Sequence, residues 1–131
     1  MPALLKHIDY IARVKKRDVL YVHFGRPDVY YEDLTVRQDL LAWLNENGIG
    51  WMPCSHFASE NGFASYKGQL YIDLPFDASN PKYQLLEKHL ENEDGSSRIP
   101  GVYFMYVPLE EAMKNAHHDE PGFWEKWAEE F

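Results

Sequence analysis

The order of strand-like and helix-like segments predicts an α+β protein built on a four-stranded antiparallel sheet. Three observations carry that expectation. Residues 69–76 alternate strictly, with Leu70, Ile72, Leu74 and Phe76 apolar against Gln69, Tyr71, Asp73 and Pro75, the period of a strand. Two other segments show helical spacing with readable starts, near Thr35 and Pro81. Between residues 18 and 107 the elements run strand, helix, strand, strand, helix, strand. The chain has 131 residues, of which 45% are apolar and 15% aromatic. That is one domain's worth of sequence with enough apolar surface for a core, and it is unlike a disordered chain.

Taken in order, Leu4, Ile8, Ile11 and Ala12 share one helical face, so residues 3–16 read as an amphipathic helix. Residues 18–24 (DVLYVHF) read as a strand with Leu20, Val22 and Phe24 on one side and Val19, Tyr21 and His23 on the other; Gly25 and Pro27 end it. Thr35 suits an N-cap, and Gln38 stands three positions on, where it completes a capping box. Val36, Leu40, Trp43 and Leu44 form the stripe of that helix, and Gly48 ends it. Residues 49–57 read as a second strand, and Pro53 places it at an edge. After the strand at 69–76, Ser79 or Asn80 caps a helix whose first residue is Pro81 and whose stripe is Tyr83, Leu86 and Leu90. VYFMYV at 102–107 is the fourth strand. Leu109, Ala112, Met113 and Ala116 then repeat at helical spacing, and residues 123–131 form a last short helix.

Stripped of its ends, this order resembles the ferredoxin-like split βαβ arrangement, over residues 18–107, with two helices on one face of the sheet. Residues 1–17 add an N-terminal helix and residues 108–131 a C-terminal helical extension to a single domain. The expected core is Leu20, Val22, Phe24, Leu40, Leu44, Leu70, Ile72, Leu74, Leu86 and Leu90. The resemblance is one of topology, and the fold hosts many unrelated functions.

Charge narrows the function classes. Thirteen Lys+Arg against 21 Asp+Glu give a net charge of −8, which repels phosphate backbones and anionic membrane surfaces. Nucleic acid and membrane are therefore not expected partners, and no apolar run approaches the ~20 residues of a membrane helix. Residues 1–17 carry +4 and residues 109–131 carry −5, a basic head and an acidic tail. One cysteine excludes an intrachain disulfide, and a cytoplasmic location is expected.

In the expected topology three long loops, residues 25–34, 58–68 and 93–100, meet at one end of the sheet. They and the adjoining strand ends bring His23, Arg26, His56, Tyr66, Lys67 and Arg98 together as a candidate site for an anionic ligand, since Arg grips carboxylate or phosphate and His moves protons near neutral pH. The sheet face away from the two helices carries Tyr21, His23, Tyr71 and Asp73. It lacks the basic, glycine-containing aromatic string of RNA-binding sheets. A terminal helix or a second subunit is expected to cover it.

Other motifs carry less. Cys54 and His56 lie on one side of a strand, but no orienting acid or oxyanion hole is legible, and a structural cysteine is the expected reading. The run from His117 to Glu120 offers four possible ligands in succession, yet neighbouring helical residues diverge by about 100°, so no metal site is expected. No cofactor-binding glycine loop occurs. Phe123, Trp124, Trp127 and Phe131 crowd the last nine residues, and Trp124, Trp127 and Phe131 are, with Tyr21 and Tyr71, the candidate interface residues. The tail is expected to dock on apolar surface, in its own chain or in a neighbour's as a homodimer. The leading functional expectation is a non-enzymatic interaction domain for a protein partner or for itself, inhibitor- or immunity-like toward a basic target. The alternative is a binding protein or enzyme for a small anion at the loop end.

Overall fold

The computed structural model describes residues 6–25, 29–55, 57–58 and 66–130. Its elements are α1 (Ile8–Lys15), β1 (Val19–Phe24), α2 (Thr35–Glu46), β2 (Trp51–Pro53), β3 (Leu70–Ile72), α3 (Pro81–Leu90), β4 (Val102–Val107), α4 (Leu109–Met113) and α5 (Phe123–Glu130). Short 3₁₀ turns at Tyr31–Asp33 and Ala116–Asp119 precede α2 and α5. The protein is α+β, with one antiparallel sheet ordered β2-β3-β1-β4.

Two expected strands are shorter in the structure. The segment at 69–76 pairs only over Leu70–Ile72, because the Leu74 N–H turns back to the Ile72 carbonyl (2.9 Å) and takes the chain out of the sheet. The segment at 49–57 pairs as a strand only over Trp51–Pro53, on an edge as Pro53 requires. The first helix begins at Ile8; its expected start at residues 3–5 lies outside the described residues. Lys6 and His7 are extended instead, with the Ser55 N–H donating to the Lys6 carbonyl at 2.8 Å and the Ile8 N–H to the Ser55 carbonyl at 3.3 Å.

The caps divide. Asn80 accepts the Tyr83 N–H (3.0 Å) and Pro81 occupies the first turn of α3, so this helix starts by side-chain capping. Thr35 does not cap α2. It is the first helical residue, the cap position belongs to Leu34, and the Gln38 amide donates to the Glu32 carbonyl (2.7 Å) rather than closing a capping box. The reason is the 3₁₀ turn at Tyr31–Asp33, which feeds the chain into the helix one residue earlier.

Alternation along the strands sends side chains to two separate cores. Leu20, Val22, Phe24, Leu70, Ile72 and Val102 face α2 and α3, where Leu40, Leu44, Leu86 and Leu90 meet them. All ten residues expected in the core are buried there. The opposite face is also apolar: Val19, Tyr21, Tyr71 and Val107 pack with Cys54 beneath Ile8, Ile11 and Ala12 of α1 and Ala112 of α4. The sheet therefore lies between two helical layers. Its second face is covered by the head of the chain and by α4, not by the aromatic tail. This explains why Leu70, Tyr71 and Ile72 are all buried despite their alternation.

The two caps give a paired test. Asn80→Ala should destabilise the protein by ~1 kcal/mol, whereas Thr35→Ala should stay within ~0.5 kcal/mol of the parent in urea unfolding. Equal losses at both positions would show that α2 is capped by Thr35 after all.

Candidate functional site

The loop end of the sheet holds a cavity of about 230 Å³ lined by Tyr21, His23, Phe24, Phe57, Lys67 and Gln69. It lies where the cover of α1 and α4, which reaches Val19, Val107 and one side of Tyr21, gives way to the His23 end of β1. His23 stacks on Tyr103 of the neighbouring strand, with ring centres 4.9 Å apart, and lies 6.3 Å from the ring of Tyr21. Gly25 permits that stack: a Cβ there would lie 2.7 Å from the Tyr103 ring.

Arg37 of α2 builds the wall behind Lys67. Its Nε donates to the Gly68 carbonyl (3.0 Å), its Nη2 donates to the Tyr66 hydroxyl (3.3 Å), and the guanidinium lies 5.1 Å from the ring centre of Tyr31. Tyr66 in turn donates to the Gln69 carbonyl (2.8 Å), and the Gln69 side-chain oxygen accepts the Lys67 N–H (2.9 Å). Burial raises the Tyr66 pKa, against the pull of Arg37. Gly68 makes the close approach possible: its φ is +94°, and a Cβ would lie 2.8 Å from Tyr31 Cβ and 3.1 Å from Arg37 Nε.

Of the six residues expected at this end, the four described ones separate into three groups. His23 and Lys67 converge on the cavity. Tyr66 stands next to it, with its hydroxyl held between Arg37 and Gln69. Arg98 is elsewhere: it is exposed, its Nε donates to the His89 carbonyl (2.7 Å) and its Nη2 lies 3.2 Å from His89 Nδ1. It satisfies the C-terminal end of α3 instead of pointing into the loops. Arg26 and His56 lie outside the described residues. Sequence reasoning missed Arg37 and Gln69; the only available signal was an arginine on an amphipathic helix, which is ordinarily a solvated residue.

Cys54 is fully buried, and burial pushes its thiol up to about 12. It supplies no thiolate near neutral pH. Among the described residues no group of three or more His, Cys, Asp or Glu is arranged to hold a metal ion, and no helix is long and apolar enough to cross a membrane.

The expected interface residues are distributed differently. Tyr71 is 2% exposed beneath α1, its hydroxyl donating to Asp73 (2.9 Å) and accepting from Arg17 (3.4 Å). Tyr21 is half-buried beside the same core. Trp124 rests against His7 and His118, at 5.5 and 4.7 Å between ring centres, so α5 meets the start of α1 and the 3₁₀ turn before it. Trp127 falls within α5; Phe131 lies outside the described residues.

Beside Trp124 the basic head and the acidic tail join through a partly buried ionic network. Arg13 forms a two-pronged pair with Asp119, Nε to Oδ2 at 2.7 Å and Nη2 to Oδ1 at 2.8 Å, and donates from Nη1 to Asp9 (3.0 Å) and to the Ala112 carbonyl (2.9 Å). Asp9, with no exposed surface, also accepts from the Ala58 N–H (2.9 Å) and the Asn115 amide (3.0 Å). A cavity of about 370 Å³ beside the network is lined by Lys6, His7, Tyr10, Arg13, Ala58, His118, Asp119 and Trp124.

No family model, curated protein or solved structure matches the chain. The functional reading rests on the geometry above.

The network makes stability depend on pH. Burial opposes ionisation of Asp9, but hydrogen bonds from Ala58, Asn115 and Arg13 outweigh it and hold the carboxyl below its ordinary value. A depressed folded-state pKa gives stability that is present above the unfolded value, ~3.9, and lost as pH falls through the folded one. Asp9→Asn should therefore flatten the fall in unfolding free energy below about pH 4. Asp77 and Asp94, also held low by serine hydrogen bonds, remain in both proteins, so the difference isolates Asp9. Parallel pH profiles would mean that Asp9 is not held ionised by this network.

Proposed function

We propose that the protein is a non-catalytic interaction domain that binds a partner with a basic surface. The observation that carries this reading is the run of exposed carboxylates from α4 to α5. Glu110, Glu111, Glu120, Glu125 and Glu129 are all exposed, in a chain of net charge −8. Exposed Met113 lies among them on α4, at 52% accessibility. A clustered negative field speeds and orients association with a basic protein, as an inhibitor or immunity-type role requires. The buried, high-pKa thiol of Cys54 supports a non-catalytic reading, and an unpaired cysteine accords with a cytoplasmic location. The core is read as ferredoxin-like. In support, the strands lie in the order β4-β1-β3-β2 from one edge, with α2 and α3 connecting them on one face. That scaffold leaves function to its surfaces.

Immobilised protein should retain a basic protein from native lysate at low salt and release it as salt rises. The triple variant Glu110→Lys, Glu111→Lys, Glu125→Lys should retain none. Failure of the parent to hold any basic protein at low salt would overturn the reading.

The convergence of His23 and Lys67 on one cavity favours a second reading, a site for a small anion. There Lys67 supplies the charge and the His23–Tyr103 stack a flat wall. A thermal-shift screen of carboxylate and phosphate metabolites should then find ligands that raise the melting temperature of the parent but not of Lys67→Ala. The absence of any shift in the parent would exclude this second reading.

A further inference from the structure

The cavity beside the Arg13 network is a second concave site, and it shares no lining residue with the loop-end cavity. Its volume, about 370 Å³, suits a small organic molecule. Four rings contribute to its wall. Trp124 is tilted against His7 and His118, with ring centres 5.5 and 4.7 Å apart, and Tyr10 stands three positions before Arg13 on α1. Such a wall favours a ligand that carries an aromatic ring, because aromatic pairs gain more than the area they bury.

The charges at this site balance. Lys6, Arg13 and Asp119 line the cavity and Asp9 is bonded to Arg13, so two cations stand against two carboxylates. Bonding capacity nevertheless remains for both signs. An arginine has five N–H groups. Nε, both hydrogens of Nη1 and one of Nη2 are taken by Asp119, Asp9 and the Ala112 carbonyl, which leaves one Nη2 hydrogen without an acceptor among the described residues. Lys6 is exposed and forms no ion pair among the described residues; its ammonium lies 5.5 Å from the ring centre of Tyr10. Asp119, with its side chain 36% exposed, accepts two bonds from Arg13, and a carboxylate has room for about four.

We propose that this cavity binds an α-amino acid with an aromatic side chain. The ligand carboxylate accepts from Lys6 and from the spare Arg13 Nη2–H, its ammonium donates to Asp119, and its ring lies on Trp124. The two charges of an α-amino acid are separated by a single carbon, so the groups that meet them must themselves be neighbours of opposite sign. Arg13 and Asp119, joined at 2.7 and 2.8 Å, are such neighbours. A carboxylate without the ammonium sets a like charge against Asp119, and an amine without the carboxylate sets one against Lys6. The zwitterion answers both, and its zero net charge matches that of the site. The inference goes beyond the reading of the protein as an interaction domain and uses none of the carboxylates on which that reading stands.

Calorimetric titration of the full chain with L-tryptophan tests the assignment. Tryptamine, indolepropionate and L-alanine serve as probes that lack the carboxylate, the ammonium and the ring. L-tryptophan should bind at least about tenfold tighter than each of the three, the scale of one lost charged hydrogen bond. Lys6→Gln should remove most of the advantage over tryptamine, and Lys6→Arg should keep it. The Lys6 carbonyl, which accepts from Ser55, is present in both variants. Lys67→Ala, in the loop-end cavity, should bind L-tryptophan like the parent. In NMR of the nitrogen-labelled chain the Trp124 indole resonance, identified by its loss in Trp124→Phe, should move on saturation. Should Lys6→Gln melt lower than the parent without ligand, the analogue series decides alone. No resonance shift with L-tryptophan up to about 10 mM would overturn the proposal. Equal binding of tryptamine or indolepropionate, an undiminished preference in a stable Lys6→Gln variant, or a Trp124 resonance that stays in place while others move would do the same.

Discussion

The guanidinium of Arg13 holds together parts of the chain that are far apart in sequence. Through Asp119 it fixes the 3₁₀ turn that leads into α5, through the Ala112 carbonyl it fixes α4, and through Asp9 it reaches Ala58 and Asn115. Arg13 and Asp9 are buried, at 9% exposed and wholly enclosed, while Asp119 reaches the surface. Removing either partner of such a pair leaves an uncompensated charge in a low-dielectric site, which typically destabilises by ~3–5 kcal/mol. This constraint determines the second layer. With Arg13 bound to both ends of its network, α1 and α4 lie side by side over the sheet, and Val19, Tyr71 and Val107 are shielded from water.

The covered part of that face determines where the open part lies. α1 and α4 stop short of the Tyr21–His23 end, and there the structure has both its loop-end cavity and the ring stack leading to β4. The cavity and the stack therefore follow from one geometric fact: two short helices cannot cover a whole sheet face. The exposed carboxylates lie along the same C-terminal stretch that Arg13 ties down through the Ala112 carbonyl and Asp119.

Several elements were legible locally. Asn80 and Pro81 mark the start of α3 because a side-chain acceptor and a fixed φ act within one turn. Pro53 marks an edge because it lacks an N–H. The ten core residues follow from alternation and helical spacing, both of which are backbone geometry. Other features were illegible because they depend on distant partners. Thr35 looked like a cap, but the 3₁₀ turn at Tyr31–Asp33 shifts the entry by a residue. Arg98 looked like part of a cationic loop cluster, and it turns back to His89 because the C-terminal carbonyls of α3 are nearer. Tyr71 looked like an outward aromatic, and its burial depends on a helix more than fifty positions earlier in the chain.

Taken alone, the sequence determined the α+β class, the order of the elements, the primary core and the net acidity. Each of these is set by spacing, turn chemistry or charge count within a short window. The tertiary structure decided the second layer, the burial of Asp9 and Arg13, and the convergence of His23 with Lys67 but not Arg98. These are contacts between residues separated by tens of positions. Local periodicity shows that a residue has a face; only the packed chain decides what that face meets.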